Sequence, residues 1–166
     1  MPLKPANPEN HEFWMRKALK LAAKAALRSE VPVGAILVKD GVQVACASNR
    51  REEWHTPLGH AELMTLQRAS QSLKAWRLGG CTLYVTLEPC PMCAGALVQA
   101  RVDRVVFGAL DPKGGGMHSL YKIGSDPRLN HQIEVVSGVL ESESSEMLKA
   151  FFKKRRSEKR DGKLDD

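Results

Sequence analysis

V-T-L-E-P-C-P-M-C, residues 85–93, is the stretch from which the fold and the chemistry of this chain are best predicted. It places the thiols of Cys90 and Cys93 three residues apart at a predicted helix start, with Pro91 suited to the first turn. Positions i and i+3 lie about 60° apart around a helix axis, so both sulfurs can reach one metal ion. The positive end of the helix also lowers thiol pKa values, which favours the thiolate that binds metal.

A second short motif lies upstream, at His60-Ala61-Glu62. His60 can act as a third ligand from a separate element, and a His-Cys-Cys set leaves one position of a tetrahedral zinc ion to water, as catalytic zinc sites do. Glu62 is then placed to take the proton of a water molecule. Because residues i and i+2 lie about 200° apart on a helix, both side chains can serve one site only if the motif forms the first turn.

Length and composition indicate one soluble domain, since the chain has 166 residues with 43% hydrophobic and 27% charged content. An apolar run of about 18 residues and a secretory signal are both missing, so we expect no membrane contact and a cytoplasmic location. Cys46 and Cys81 are expected to be buried reduced thiols, and the alternative is that one of them is a fourth zinc ligand. We divide the chain into a flexible tail at 1–8, a zinc-binding domain at 9–152 and a basic extension at 153–166.

Apolar periodicity predicts an α/β fold, a three-layer α/β/α sandwich with a mixed sheet of about five strands. The predicted helix at 9–28 covers one face, and the two metal-bearing helices, at 60–75 and 91–100, cover the other and meet at their N-termini. Predicted strands occupy 33–38, 42–48, 81–86, 102–107 and 133–136, a short helix lies near Tyr121, and a long helix over 141–160 closes the chain. Asp40-Gly41 predicts a hairpin between the first two strands, and the strand-helix-strand order around Pro91 predicts a parallel crossover.

Two loops are expected to border a substrate site. The first follows Asn49 and ends at His60; Asn49 is either a turn residue or a group that hydrogen-bonds a base or ribose. The second, at 111–120, contains three consecutive glycines and is predicted to be a mobile rim loop. Asp111 and His118 are candidate nucleic-acid contacts in this loop, and the alternative is a solvated loop without such a role.

Together these motifs resemble the zinc nucleobase deaminase family, and within it the bacterial tRNA adenosine deaminases. The resemblance rests on H-A-E at 60–62 and P-C-P-M-C at 89–93, and it extends over roughly residues 9–156. Further matching stretches are E-V-P-V-G-A at 30–35, Asn49, T-L-Y-V-T-L-E-P-C at 82–90, R-V-V-F-G-A at 104–109 and Phe151-Phe152 before a basic run.

The resemblance implies a cytidine deaminase-like fold, one Zn²⁺ per subunit and a homodimer. It further implies conversion of adenosine to inosine at the wobble position of a tRNA anticodon stem-loop. The implied metal ligands are His60, Cys90 and Cys93, and the implied catalytic residue is Glu62. Implied substrate-binding residues are Val31, Asn49, Ala61, Leu87 and Asp111. Implied RNA-binding residues are Phe151, Phe152, Lys153, Lys154, Arg155 and Arg156.

One departure from the family stands before the metal histidine. The family usually reads Asp-Pro-Thr-Ala there, whereas this chain has Thr56-Pro57-Leu58-Gly59. The loss of an alanine side chain at Gly59 is expected to loosen the pocket, which would allow some tolerance for cytosine or for single-stranded DNA.

Net charge separates the competing functions. Most of the formal charge of +6 lies in residues 153–160, where six basic residues face one acidic residue. Such a block can bind phosphates by counterion release, although a solvated helix end would carry the same pattern. A deaminase of a free base or nucleoside, such as guanine or cytidine, does not need this block, and a non-enzymatic zinc module leaves Glu62 without a role. An RNA-acting adenosine deaminase is therefore the favoured hypothesis.

Overall fold

Four helices and five strands form the protein, as seen in a computed structural model that describes residues 8–162. The helices are α1 (Pro8–Leu27), α2 (Ala61–Leu73), α3 (Pro91–Gln99) and α4 (Glu141–Arg160). The strands are β1 (Gly34–Lys39), β2 (Val42–Ser48), β3 (Cys81–Leu87), β4 (Arg104–Ala109) and β5 (Glu134–Val136). Residues 1–7, where most of the predicted tail falls, and residues 163–166 lie outside the described residues.

The strands form one mixed sheet in the order β2-β1-β3-β4-β5. β1 pairs antiparallel with both β2 and β3, whereas β3, β4 and β5 are parallel to one another. The predicted hairpin is confirmed: Asp40 and Gly41 both have positive φ, 50° and 74°, as a two-residue primed turn requires. The predicted parallel crossover through α3 is also confirmed.

Helices cover both faces of the sheet, which confirms the predicted three layers. Met15, Ala18 and Leu19 of α1 pack with Ile36 and Val106 on one face, and Met147 of α4 packs against the same cluster. On the other face, α2 packs on β1 and β2, and side chains of α2 and α3 share a larger cluster with the sheet that includes Ala61, Leu66, Leu83, Leu97 and Phe107. Burying a leucine or phenylalanine side chain contributes about 1.5–3 kcal/mol, so both helix layers are held mainly by apolar burial.

Helix bounds place the chemistry at one edge of this fold. His60 is the N-cap of α2 and Cys90 is the N-cap of α3, and both have extended backbone angles. The two helices that carry the predicted metal ligands therefore begin next to the carboxyl end of β3, where open α/β sheets bind ligands. The short helix predicted near Tyr121 is a 3₁₀ turn at Ile123–Ser125.

α4 continues without a break from the domain into the predicted basic extension, since the helix runs to Arg160. Acidic residues stand in its first turn and basic residues in its last, which suits the helix dipole. Among the described residues, no helix is long and apolar enough to cross a membrane.

Candidate active site

Three side chains of types that can ligate a metal meet where α2 and α3 begin. The Nδ1 atom of His60 lies 3.7 Å from the sulfur of Cys90 and 3.5 Å from that of Cys93. All three ligand atoms lie within 4.8 Å of one another, so one metal ion could be held between them. Cys46 and Cys81 are free thiols outside this group, Cys81 being buried and Cys46 half-buried.

The two thiols of this group share their protons unequally. A hydrogen bond from Cys93 is the main cause that lowers the pKa of Cys90 to about 4, and His60 lowers it further. The same hydrogen bond with Cys90, followed by burial, raises the pKa of Cys93. A metal ion binds cysteine sulfur as thiolate, so metal binding would release any proton that the two thiols carry.

Glu62 lies in the first turn of α2, as predicted, and is only 4% exposed. Burial is the main cause that raises its pKa above the ordinary value for glutamate. A carboxyl whose pKa moves towards neutral pH can both accept and return a proton during a reaction. The first turn of α2 thus presents His60 and Glu62 to the same cavity.

Asn49 links the end of β2 to the start of α2. Its side-chain oxygen accepts a hydrogen bond of 2.9 Å from the backbone N–H of Ala61, one of the N–H groups that a helix start leaves unpaired. Asn49 also lines the cavity, where its amide nitrogen can donate. Ala61 is fully buried and is not among the residues that line the cavity, and its role in substrate binding stays a prediction.

A cavity of about 740 Å³ opens in front of these residues, within the range of about 300–1,000 Å³ that is typical of small-molecule sites. Four of the predicted substrate residues line it: Val31, Asn49, Leu87 and Asp111. The sequence analysis missed three basic residues of the lining, Arg51, Lys113 and Lys149. They come from three separate segments, and no local motif connects them.

Residues of α4 divide between the cavity, the core and the surface. Phe152 is 44% exposed and lines the cavity together with Arg156, whereas Lys153 and Lys154 are exposed. Phe151 is only 9% exposed. The ring of Phe151 therefore offers a nucleic acid less surface than that of Phe152, and its role as an RNA contact stays a prediction.

Arg155, another predicted RNA contact, also contacts the protein itself. Its guanidinium donates a hydrogen bond of 3.0 Å to the backbone oxygen of Ser29 and lies 5.7 Å from the centre of the Phe151 ring. Arg155 therefore ties α4 to the segment after α1, which leads into Val31 of the cavity wall.

Gly59 does not loosen the pocket. A Cβ atom added there would lie 2.8 Å from backbone atoms of both Arg50 and Arg51, and Gly59 is buried beside this turn. The loop closes on itself at this point, since the N–H of Arg50 donates to the oxygen of Gly59 at 2.9 Å. The expectation of extra space at position 59 is therefore wrong.

The loop at 50–59 is also held by a buried carboxylate. Glu30 is 1% exposed, and its side chain accepts the backbone N–H of Glu53 at 2.9 Å. Arg28, at the end of α1, donates to the backbone oxygen of Asn49 at 3.1 Å. These contacts fix the loop that leads from Asn49 to the metal histidine.

Glu88 is a residue to which the sequence analysis gave no role. It is 2% exposed and sits between β3 and α3, where it contacts the loop at 111–119. Burial raises its pKa, but hydrogen bonds from Ser119, Asp111 and His118 outweigh this effect and lower the pKa overall. The only sequence signal is a charged residue at the end of an apolar strand.

The loop at 111–119 makes close contacts with the protein, and its mobility stays a prediction. Its glycines allow contact: a Cβ at Gly115 would overlap the carboxylate of Glu88. Asp111 lines the cavity, and its carboxylate accepts the backbone N–H groups of Lys113 and Gly114. His118 is exposed, and its backbone N–H donates to Glu88.

Comparisons with known proteins agree with one another. The model of the MafB19-like deaminase family matches residues 9–156. A tRNA-specific adenosine deaminase of Bacillus subtilis (strain 168) is 52% identical over 90% of this chain and 92% of its own length. A tRNA-specific adenosine deaminase of Aquifex aeolicus (strain VF5) is 46% identical over 88% of this chain and 96% of its own.

A solved structure has a similar fold. It comes from a study of A-to-I editing by tRNA:A34 deaminases at the wobble position of transfer RNA. It matches with 46% identity and a TM-score of 0.79, over 82% of this chain and 99% of the other. The expectation of a cytidine deaminase-like α/β fold is confirmed.

Proposed function

This chain belongs to the MafB19-like deaminase family, and from that premise we propose that it deaminates adenosine to inosine at the wobble position of a tRNA anticodon. The observation that carries the proposal is the buried carboxyl of Glu62 beside the His60, Cys90 and Cys93 group, at the floor of a cavity bordered by basic residues. Relatives at 52% and 46% identity that are tRNA-specific adenosine deaminases support the choice of substrate.

Zinc is the metal that we propose for this group, one ion per subunit. A tetrahedral ion with bonds of about 2.0–2.1 Å to nitrogen and about 2.3 Å to sulfur needs nitrogen–sulfur separations of about 3.6 Å. The two separations here are 3.7 and 3.5 Å, and all three ligand atoms lie within 4.8 Å of one another, so the residues present fit such an ion. When bound, zinc supplies the acidity that makes water a nucleophile near neutral pH.

Glu62 is the proposed proton carrier. It accepts the proton of the attacking water as the water oxygen bonds to C6 of adenine, and it delivers that proton to N1. It then passes the second proton of the water to the departing amino group, so that adenosine and water give inosine and ammonia. The raised pKa of Glu62 supports both transfers, because the group can be deprotonated before attack and protonated after it.

Base recognition is assigned to the cavity wall. Val31 and Leu87 offer apolar contact to a purine ring, and the amide nitrogen of Asn49 can donate to an acceptor on the base or ribose. We assign Asp111 to the nucleotide contacts at the rim. Because the oxygen of Asn49 is already bonded to Ala61, the amide has a defined orientation, and Ala61 contributes to recognition indirectly.

RNA binding is assigned to the cavity mouth and to α4. Phe152 supplies an exposed ring on which a base can stack, and Arg156 lies beside it in the cavity lining. Lys153 and Lys154 add exposed positive charge for the phosphates of the anticodon stem-loop. A tRNA substrate also implies a cytoplasmic location.

A homodimer is part of the proposal. Exposed apolar side chains in the loop before α2, in the first turn of α3 and at 120–121 support it, because such residues are common at subunit interfaces. They are Trp54, Leu58, Met92, Leu120 and Tyr121. Sedimentation analysis should give a dimer at micromolar concentration, and a monomer alone would count against this part.

The test compares five substrates with the purified zinc-loaded protein: a tRNA anticodon stem-loop, free adenosine, guanine, cytidine and single-stranded DNA. We expect inosine at the wobble position of the stem-loop and little product from the others. Deamination of guanine or cytidine with none in the stem-loop would instead establish the alternative of a free-base or nucleoside deaminase.

A further inference from the structure

Glu88 carries more hydrogen bonds than its place in the sequence suggests. Its carboxylate accepts five of them, all from the segment at 111–119. The backbone N–H of Asp111 and the hydroxyl of Ser119 donate to one oxygen at 3.1 and 2.5 Å. The other oxygen accepts the backbone N–H groups of Met117, His118 and Ser119 at 3.2, 2.9 and 2.9 Å.

The five donors and the buried charge depend on each other. A carboxylate removed from water is strongly unfavourable unless its oxygens are hydrogen-bonded. Two oxygens offer about four lone-pair positions, so the five donors leave none of them unpaired. The loop in turn would leave three consecutive backbone N–H groups, 117–119, without their acceptor if Glu88 were absent. The carboxylate therefore determines the conformation of this segment.

Glycines bring the same loop against the metal-bearing turn. The N–H of Gly116 donates to the oxygen of Pro89 at 2.7 Å. A Cβ atom added at Gly116 would lie only 2.8–2.9 Å from backbone atoms of Pro91 and Cys90. One added at Gly115 would overlap Glu88 itself. The loop is thus seated directly on the segment that presents Cys90.

The loop supplies one wall of the cavity. Leu110, Asp111 and Lys113 all line it. Because Glu88 accepts the N–H of Asp111 at one end of the loop and that of Ser119 at the other, it sets where this wall lies.

We propose that Glu88 is a positioning residue for nucleotide binding: its carboxylate holds the loop at 111–119 on the metal-bearing turn, so that Asp111 and Lys113 form the cavity wall. The identity of the ligand rests on the proposed function, but the effect on the loop does not. Removing the acceptor should release the wall while leaving the metal ligands and Glu62 in place.

The experiment uses the full-length zinc-loaded protein and three variants: Glu88→Gln, Ser119→Ala and, as a control, Ser72→Ala at an exposed position of α2. Glutamine has nearly the same shape, but its NH₂ group cannot accept the N–H donors of the loop. In Glu88→Gln we expect one zinc per chain and at least about 10-fold faster hydrogen exchange of the amides at 117–119. KM for the anticodon stem-loop should rise at least about 10-fold, with kcat within about 3-fold of the unaltered protein.

Ser119→Ala should also accelerate amide exchange at 117–119 and raise KM, but by less than Glu88→Gln. Ser72→Ala should change neither amide exchange nor KM. Unchanged amide exchange in Glu88→Gln, or a fall in kcat at constant KM, would overturn the proposal. Should Glu88→Gln fail to fold, Ser119→Ala decides, because it leaves the carboxylate and the metal-bearing turn intact; unchanged exchange and KM would then refute it. If the unaltered protein does not deaminate the stem-loop, the proposed function fails, while amide exchange still tests the positioning role.

Discussion

Asn49 should have two separable roles, one in stability and one in base binding. Replacing it with alanine removes the acceptor of the Ala61 N–H, which is fully buried at the start of α2. A lost cap of this kind costs about 0.5–2 kcal/mol, and a buried N–H left unpaired costs about 1–3 kcal/mol. We therefore expect Asn49→Ala to lower the free energy of unfolding by about 1–3 kcal/mol, or Tm by about 2–10 °C for a chain of this size.

Asn49→Asp is the matched variant, because it keeps an oxygen that can accept the Ala61 N–H but has no amide nitrogen to donate. Thermal unfolding of the zinc-loaded proteins should show that aspartate restores part of the lost stability. Turnover should stay low in both variants, with kcat/KM on the stem-loop reduced about 10- to 100-fold for one lost hydrogen bond of about 1.4–3 kcal/mol. Equal destabilisation of the two variants would refute the capping role, and full turnover in Asn49→Asp would refute the donor role.

Four further outcomes are expected. Metal analysis of Glu62→Ala should show that zinc is retained. The kcat of this variant should fall by about 10²- to 10⁴-fold, the range for lost general acid–base catalysis. Phe151→Ala should destabilise the fold by about 3–5 kcal/mol in denaturant titrations because the ring is buried, whereas Phe152→Ala should mainly raise KM. Burial lowers the pKa of His11 below its ordinary value, so the unfolded chain binds the proton more readily than the folded one. The free energy of unfolding should therefore fall as pH drops below about 6.5. In urea titrations from pH 5 to 8, His11→Gln should reduce this pH dependence. Truncation of Lys153–Asp166 should weaken RNA binding and reduce its salt dependence while zinc content stays the same.

Much of the metal centre could be predicted because its signals are local. The spacing of Cys90 and Cys93 and the proline between them specify a helix start that presents two sulfurs. His60 and Glu62 could be assigned to a first helical turn from the angle between them alone. The hairpin at Asp40 was equally local, since the turn chemistry is contained in two residues.

The orientation of a helix relative to the core is not local, and the sequence analysis could not predict it. Phe151 and Phe152 lie about 100° apart around α4, so when one ring faces the core the other can face the cavity. Gly59 was interpreted from its missing side chain, but whether a missing side chain leaves space depends on where the backbone of Arg50 passes. Such facts follow from packing between segments and have no signature in either segment.

The shape of the cavity also depends on contacts between segments that are distant in the sequence. Both loops that flank the cavity are held by buried carboxylates: Glu30 accepts an N–H from the loop at 50–59, and Glu88 accepts four from the loop at 111–119. The first carboxylate lies 23 residues from its donor and the second 23–31 residues from its donors. In the proposed function the reaction depends on a short motif that is visible in the sequence, whereas the shape of the pocket depends on two distant acceptors. Substrate choice within a family that shares the motif should accordingly vary with the loops that these carboxylates hold, and less with the metal ligands themselves.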